Sequence, residues 1–236
     1  MQLMQSGELP LNSDMQLISQ HLPLDNARLL ELGCGAAFTT RQIAENFPVA
    51  SIIAAEVDVI QHEKNLQVDD LPKVEFKLAG MQEIPEAGNS IDAAIMLKSL
   101  HHVPVDVMQQ GFAELQRVLK PGGLLYISEP VFMGEFNEIL RLFNDEEKVR
   151  QAAFAAIEQA ITAGQFELHE EVHFNSQSRF QGFAEFEQRI LGATHSNFDV
   201  DDDLFELIKQ RFEPHIGTDG MAVFHNPMRV DILRKR

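Results

Sequence analysis

Hydrophobic positions change period repeatedly along the first half of the chain. Short apolar runs at 27–32, 50–56 and 91–97 read as strands, as does 73–78, where Val74, Phe76 and Leu78 share one face. The run from Ile91 to Leu97 is almost unbroken, the signature of a parallel strand buried on both sides. Between these runs the spacing turns helical over about 36–47, 58–68 and 106–120, with Val107, Gly111, Leu115 and Val118 on one face of the third. Pro48 closes the first of these helices. Pro121-Gly122-Gly123 ends the third and turns the chain into a fifth strand, Leu124 to Glu129. Strands alternating with helices predict a doubly wound α/β fold, a mostly parallel sheet with helices on both faces.

Outside this alternation the pattern is looser. Ser13 is placed to cap a short helix through Ser19. After Pro130, Asn144 and Glu147 suggest a capped helix carrying Val149, Ala153, Ile157 and Ile161, with Gly164 as its stop. Phe183–Leu191 and Asp201–Phe212 read as two more helices, the acids at 201–203 suiting the start of the second. An alternating segment around Met221–Leu233 closes the chain. The 236 residues are expected to form one domain: a core at 25–130, a helical cap or insertion at 131–215, and a final strand at 216–236.

The chemistry centres on Leu29-Leu30-Glu31-Leu32-Gly33-Cys34-Gly35, where the first strand breaks at two glycines and resumes as a helix. Such a turn lets a ligand approach main-chain N–H groups at a helix N-terminus. A dinucleotide fingerprint requires a third glycine, and counting from Gly33 that place holds Phe38. Glu31 would repel a pyrophosphate but suits a cation, which favours S-adenosylmethionine over NAD. Glu56 ends the second strand, 21 residues beyond Gly35, where an acid can accept both ribose hydroxyls of an adenosine. Either cofactor would use it.

The stretch Leu29–Gly35 resembles motif I of class I S-adenosylmethionine-dependent methyltransferases. Ile52-Ile53-Ala54-Ala55-Glu56, Asn89–Ile95 and Arg117–Leu125 follow in the order and spacing of that family's later motifs. The likeness covers roughly residues 25–130 and is nearest the small-molecule, ubiquinone-pathway-like branch, typified by the type 11 enzymes. It implies a Rossmann-like seven-stranded sheet whose last strand is antiparallel, with S-adenosylmethionine as cofactor. The contacts implied are Glu31, Gly33, Cys34, Gly35, Glu56, Val57, Gly80, Met81 and Lys98. Gly80 stands where the family usually has an adenine-contacting Asp, leaving Met81 to flank the ring or offer its amide.

Past the fourth strand, Lys98-Ser99-Leu100-His101-His102 falls beside the expected switch in strand order, where active sites of open α/β sheets lie. His101 or His102 is expected either to take a proton from the substrate nucleophile or orient it, or else one packs beneath the following helix while the other contacts cofactor backbone. Phe132, Met133 and Phe136, just after the fifth strand, are the expected acceptor wall, which would make the substrate a modest apolar or aromatic molecule. The function expected is methyl transfer to a small molecule; an NAD-dependent oxidoreductase and a non-catalytic S-adenosylmethionine-binding protein are the alternatives.

Three further features narrow the field. His169-Glu170-Glu171-Val172-His173 fits a zinc-protease motif, but Phe166, Leu168, Val172 and Phe174 keep period two. On a strand those histidines stand about 13 Å apart, too far to share one ion, so no metal is expected. A net charge of −17 disfavours a nucleic-acid substrate, and Arg229, Arg234, Lys235 and Arg236 read as the solvated end of a strand. Cys34 is the only cysteine, no apolar run is long enough to span a bilayer, and no basic segment precedes an apolar one near the N-terminus. A cytoplasmic small-molecule enzyme follows as the expectation.

Overall fold

The computed structural model describes residues 1–4, 7–192 and 198–236. One seven-stranded sheet organises it, in the order β3-β2-β1-β4-β5-β7-β6. Its strands are β1 (Arg28–Leu32), β2 (Ser51–Glu56), β3 (Val74–Leu78), β4 (Ile91–Leu97), β5 (Leu119–Pro130), β6 (Phe166–Gln181) and β7 (Met221–Lys235). β1 to β5 run parallel, and β7 lies antiparallel between β5 and β6. The order reverses between β1 and β4, which opens a crevice at the carboxyl ends of those two strands.

Helices cover both faces. α1 (Asp14–His21) and α2 (Phe38–Asn46) put Leu17, Ile18 and Ile43 against one. On the other lie α4 (Met108–Val118) and α6 (Glu147–Thr162), with Phe112, Leu115 and Ile157 fully buried. α3 (Val59–Asn65) connects β2 to β3. Three side-chain caps form among the described residues: Ser13 Oγ accepts the Gln16 amide, Asp58 accepts those of Ile60 and Gln61, and Asp201 accepts that of Leu204. No helix among the described residues is long and apolar enough to cross a membrane.

Four expectations shift. Residues 131–215 are not simply helical: besides α5 (Glu135–Leu140), α6, α7 (Gly182–Phe186, continued by a π-turn to Leu191) and α8 (Asp202–Phe212), they hold all of β6. Residues 193–197 of that segment lie outside the described residues. The final strand begins at Met221, with Ile216 making only an isolated bridge to Ala222. Pro121-Gly122-Gly123 does not precede the fifth strand but bulges within it, because Leu119 is already paired with Ile91. Finally, α6 starts at Glu147 with Glu146 at its N-cap; Asn144 reaches only the Glu146 side chain.

β6 and β7 outrun their neighbour. Pairing between β5 and β7 stops at Pro130–Met228, while β6 and β7 continue together to Gln181–Met221. This projecting ribbon carries a separate phenylalanine-rich core, in which Phe180, Phe186, Phe212 and Phe224 are buried with Ile139 of α5 and Ile208 of α8. The cap therefore stands over the carboxyl end of the sheet.

Candidate active site

The glycine turn is built by backbone geometry that other residues would spoil. Gly33 and Gly35 have φ of +72° and +53°. A Cβ on Gly33 would lie 2.6 Å from Ser99 Cβ, whereas Gly35 has nothing within 4 Å where a side chain would stand. The amides of Gly33 and Cys34 both donate to Ala55 O, and Ser99 Oγ donates to Leu32 O at 3.0 Å. The turn is thus pinned to β2 on one side and to the loop after β4 on the other.

Two acids lie beneath and beside it. Glu31 is buried and accepts Thr40 Oγ1 at 2.5 Å. Burial pushes its carboxyl up to about 7, against the opposing hydrogen bond from Thr40. Glu56, also buried, accepts the Gly35 amide at 2.7 Å and those of Val57 and Asp58 at 2.8 and 3.0 Å. Val57 itself is exposed. Cys34 is buried, and burial together with Glu31 and Glu56 raises its thiol far above the ordinary range. Its place is that of a small packing residue rather than a nucleophile.

The next segment departs from expectation. Met81 is 2% exposed and packs toward α4, with its Cε 2.3 Å from where a Cβ on Gly111 would stand. Its side chain therefore fills core rather than flanking a ring in the crevice. Gly80 lies beside the Gln82 side chain. Lys98 is exposed at the end of β4 with a left-handed φ of 52°, its amide donating to Ser128 O at 2.7 Å.

The histidines separate into a buried one and an exposed one. His101 Nδ1 donates to Glu129 Oε2, and Glu129 Oε1 accepts the Leu100 amide at 2.8 Å. That fixes the ring so that Nε2 faces Glu146, 3.9 Å away. His102 is exposed, its ring 4.0 Å from that of His101. Arg150 donates to Glu146 from Nε and Nη2. Burial works against ionising Glu146, but Arg150 and His101 outweigh it and hold its carboxyl below the usual range. His101, His102 and Glu146 bring one ligand atom each to within 4.8 Å of one another, the one such grouping among the described residues. Arg150 already balances the charge of Glu146.

The sequence pattern singled out neither Glu129, Glu146 nor Arg150. Glu129 had one legible sign, an acid ending a strand otherwise apolar. The zinc-like motif lies in β6, with His169 beside Arg234 and His173 beside Glu171, so its two histidines face different partners.

Beside Glu129 is a cavity of about 130 Å³, bordered by Leu3, Met4, Phe132, Arg150 and Arg229 among others. Of the expected acceptor wall, Phe132 borders it. Phe136 does not: its ring lies 5.1 to 6.2 Å from those of Phe180, Phe186 and Phe224, inside the cap core. Met133 is 41% exposed and lies outside the cavity lining. Arg229, expected on a solvated strand end, is 3% exposed. With arginine and glutamate side chains around it, the cavity is not the apolar box expected.

Residues 29–123 match the model of a methyltransferase domain family. The ubiquinone biosynthesis O-methyltransferase of Agrobacterium fabrum is 28% identical over 113 residues, 45% of this chain and 42% of that protein. The sterol 24-C-methyltransferase of Yarrowia lipolytica is 28% identical over 115 residues, 47% of this chain and 29% of that one. The chain thus spans less than half the length of these curated relatives. A putative methyltransferase from Bacillus halodurans superposes with a TM-score of 0.65 at 17% identity, covering 95% of this chain and 99% of its own. The YcgJ protein of Bacillus subtilis gives 0.64 at 17%, over 94% and 97%. At those identities the structural likeness is one of fold, and it extends through the cap that the family match leaves out. Motif, sheet order and family match agree over residues 29–123: this part of the chain is similar to the methyltransferase domain family, and the whole chain shares the fold of those solved structures.

Proposed function

We propose that the chain transfers a methyl group from S-adenosylmethionine to a small-molecule acceptor. The observation that carries this reading is the Glu56–Gly35 contact, which sets an acid at the end of β2 against a glycine turn open to a ligand. The same turn fits the cofactor in three respects. Gly35 leaves room for close approach, Glu56 is an acceptor for ribose hydroxyls, and Glu31 places a potential negative charge below the turn. Gly33, Cys34, Val57, Gly80, the Met81 amide and Lys98 complete the proposed cradle. When bound, the cofactor supplies an electrophilic methyl group on a sulfonium, and the sulfur leaves as a neutral thioether.

The chain's own work is then positioning and proton handling. Glu129 holds His101 by Nδ1, so that Nε2 is the atom turned to receive the proton lost by an attacking hydroxyl or amine. Glu146, beside Nε2, supports the charge that forms there. His102 lies at the same strand end as an orienting group. The cavity next to this dyad is bordered by Leu3 and Met4, the end of β5 and the start of α6.

Thermal melting tests the cofactor. S-adenosylhomocysteine at 100 times its Kd should add about 2.7 kcal/mol of stability, and NAD or NADP nothing. A shift with NAD alone would overturn the reading. Labelled methyl transfer from the cofactor into metabolite extracts then tests the activity.

A further inference from the structure

Arg229 sits on β7 facing α6, and its guanidinium is only partly used by the protein. Nε donates to Asp231 Oδ2 at 2.8 Å, and one face of the group lies over the Phe154 ring at 4.2 Å. Nη1 and Nη2 find no hydrogen-bond acceptor among the described residues, although the side chain is 3% exposed and borders the cavity. Charged donors that face a cavity are ordinarily satisfied by protein, water or ligand.

Of the neighbouring acids, Glu129 and Glu146 are committed elsewhere, and Asp231 gives Oδ2 to Arg229 Nε while its Oδ1 stays unpartnered. Glu129 is the register partner of Arg229 across β5 and β7, yet both its oxygens serve Leu100 and His101. Glu146 and Asn137 take the N–H groups of Arg150. What remains on Arg229 is the Nη pair, the edge of the fork that matches a carboxylate with two parallel hydrogen bonds. A phosphate dianion fits less well, because Glu129, Glu147 and Asp231 all stand nearby. The remaining walls are apolar at Leu3, Met4, Val131 and Phe132, and about 130 Å³ admits only a small ligand.

We infer that Arg229 is the anchor for a carboxylate on the methyl acceptor, so that the substrate is a small carboxylic acid with an apolar body. This rests on the methyl-transfer reading for the word acceptor, but the carboxylate site stands on its own geometry. Glu129 both borders the cavity and holds His101, so an acid anchored at Arg229 extends its other end past Glu129 toward the His101 ring. The methylated atom is then a hydroxyl or amine at that far end, not the carboxylate.

The probe is para-fluorobenzoate, followed by fluorine NMR against the full chain with S-adenosylhomocysteine present. The acid should bind, para-fluorobenzamide should not, and inorganic phosphate should not displace the acid. Arg229→Lys keeps the charge but loses the fork, and should weaken binding at least about tenfold. Because Arg229→Met alone would strand Asp231, the paired variant R229M/D231N provides the uncharged case and should abolish binding. Both variants should retain the melting shift given by S-adenosylhomocysteine. Failure of the acid to bind, equal binding of the amide, displacement by phosphate, or undiminished binding by Arg229→Lys would each overturn the assignment. If S-adenosylhomocysteine has no effect while the acid still binds through Arg229, methyl transfer falls and the carboxylate site remains.

Discussion

Glu56 Oε2 accepts the Gly35 amide at 2.7 Å, so the acid that ends β2 is tied directly to the turn that follows β1. The same carboxylate also takes the amides of Val57 and Asp58. Glu56→Ala should therefore weaken S-adenosylhomocysteine binding by about 1–3 kcal/mol and lower the melting temperature while the protein stays folded. Calorimetry on the variant checks it. Unchanged affinity would move the ribose contact off Glu56.

Glu31 makes stability depend on pH in an uncommon direction for an acid. Its folded value is pushed up to about 7 from 4.5, so the native state holds the proton more tightly than the unfolded chain. Its contribution is full below about pH 4.5 and is lost as pH rises to about 7, a change of roughly 3 kcal/mol. Glu31→Gln keeps an acceptor for Thr40 and should remove that slope, leaving the variant the more stable of the two at pH 8. Urea melts at pH 5 and pH 8 on both proteins measure the difference. Equal slopes would show that Glu31 titrates normally.

Variants of His101 and Glu129 can separate proton transfer from positioning. His101→Asn should lower kcat by roughly 10²–10⁴ with cofactor affinity unchanged. Glu129→Gln keeps an acceptor for the Leu100 amide and should cost less, while displacing the pH–rate profile. Full activity in His101→Asn would leave desolvation and alignment as the only catalytic contributions.

Phe136 and Phe132 give a contrast within one segment. Phe136→Ala removes a ring from the cap core and should destabilise by roughly 3 kcal/mol with no direct effect on acceptor KM. Phe132→Ala, at the cavity wall, should raise KM with a smaller loss of stability. Chemical denaturation and steady-state kinetics on the two variants distinguish them. A KM effect confined to Phe136 would relocate the acceptor site to the cap.

Much of this was readable from local signals. The glycine turn, the acid at the end of β2 and the caps at Ser13 and Asp201 depend on a few adjacent residues and appear where the chain chemistry puts them. What could not be read depends on segments far apart in sequence. Phe132 and Phe136 are equally apolar, and only the return of the β6–β7 ribbon buries one in the cap while leaving the other at the cavity. His101 and Glu129 are 28 residues apart and meet because β4 and β5 are neighbours. Arg229 lies near other basic residues in a chain of net charge −17, which suggests solvent; α6 covers it instead. The burial of Met81 depends on Gly111, a small residue on a helix that its own segment does not reveal.

The place of β7 between β5 and β6 bears on how the chain is made. Ribosomal synthesis delivers β5 and β6 before the strand that joins them, and each then exposes an unpaired edge. Until β7 emerges, the β5 edge has no strand to pair with and β6 has no neighbour at all, the kind of surface that chaperones cover. Completing the fold is then an insertion rather than an addition, with Arg229 and Asp231 carried into the interior in its last step.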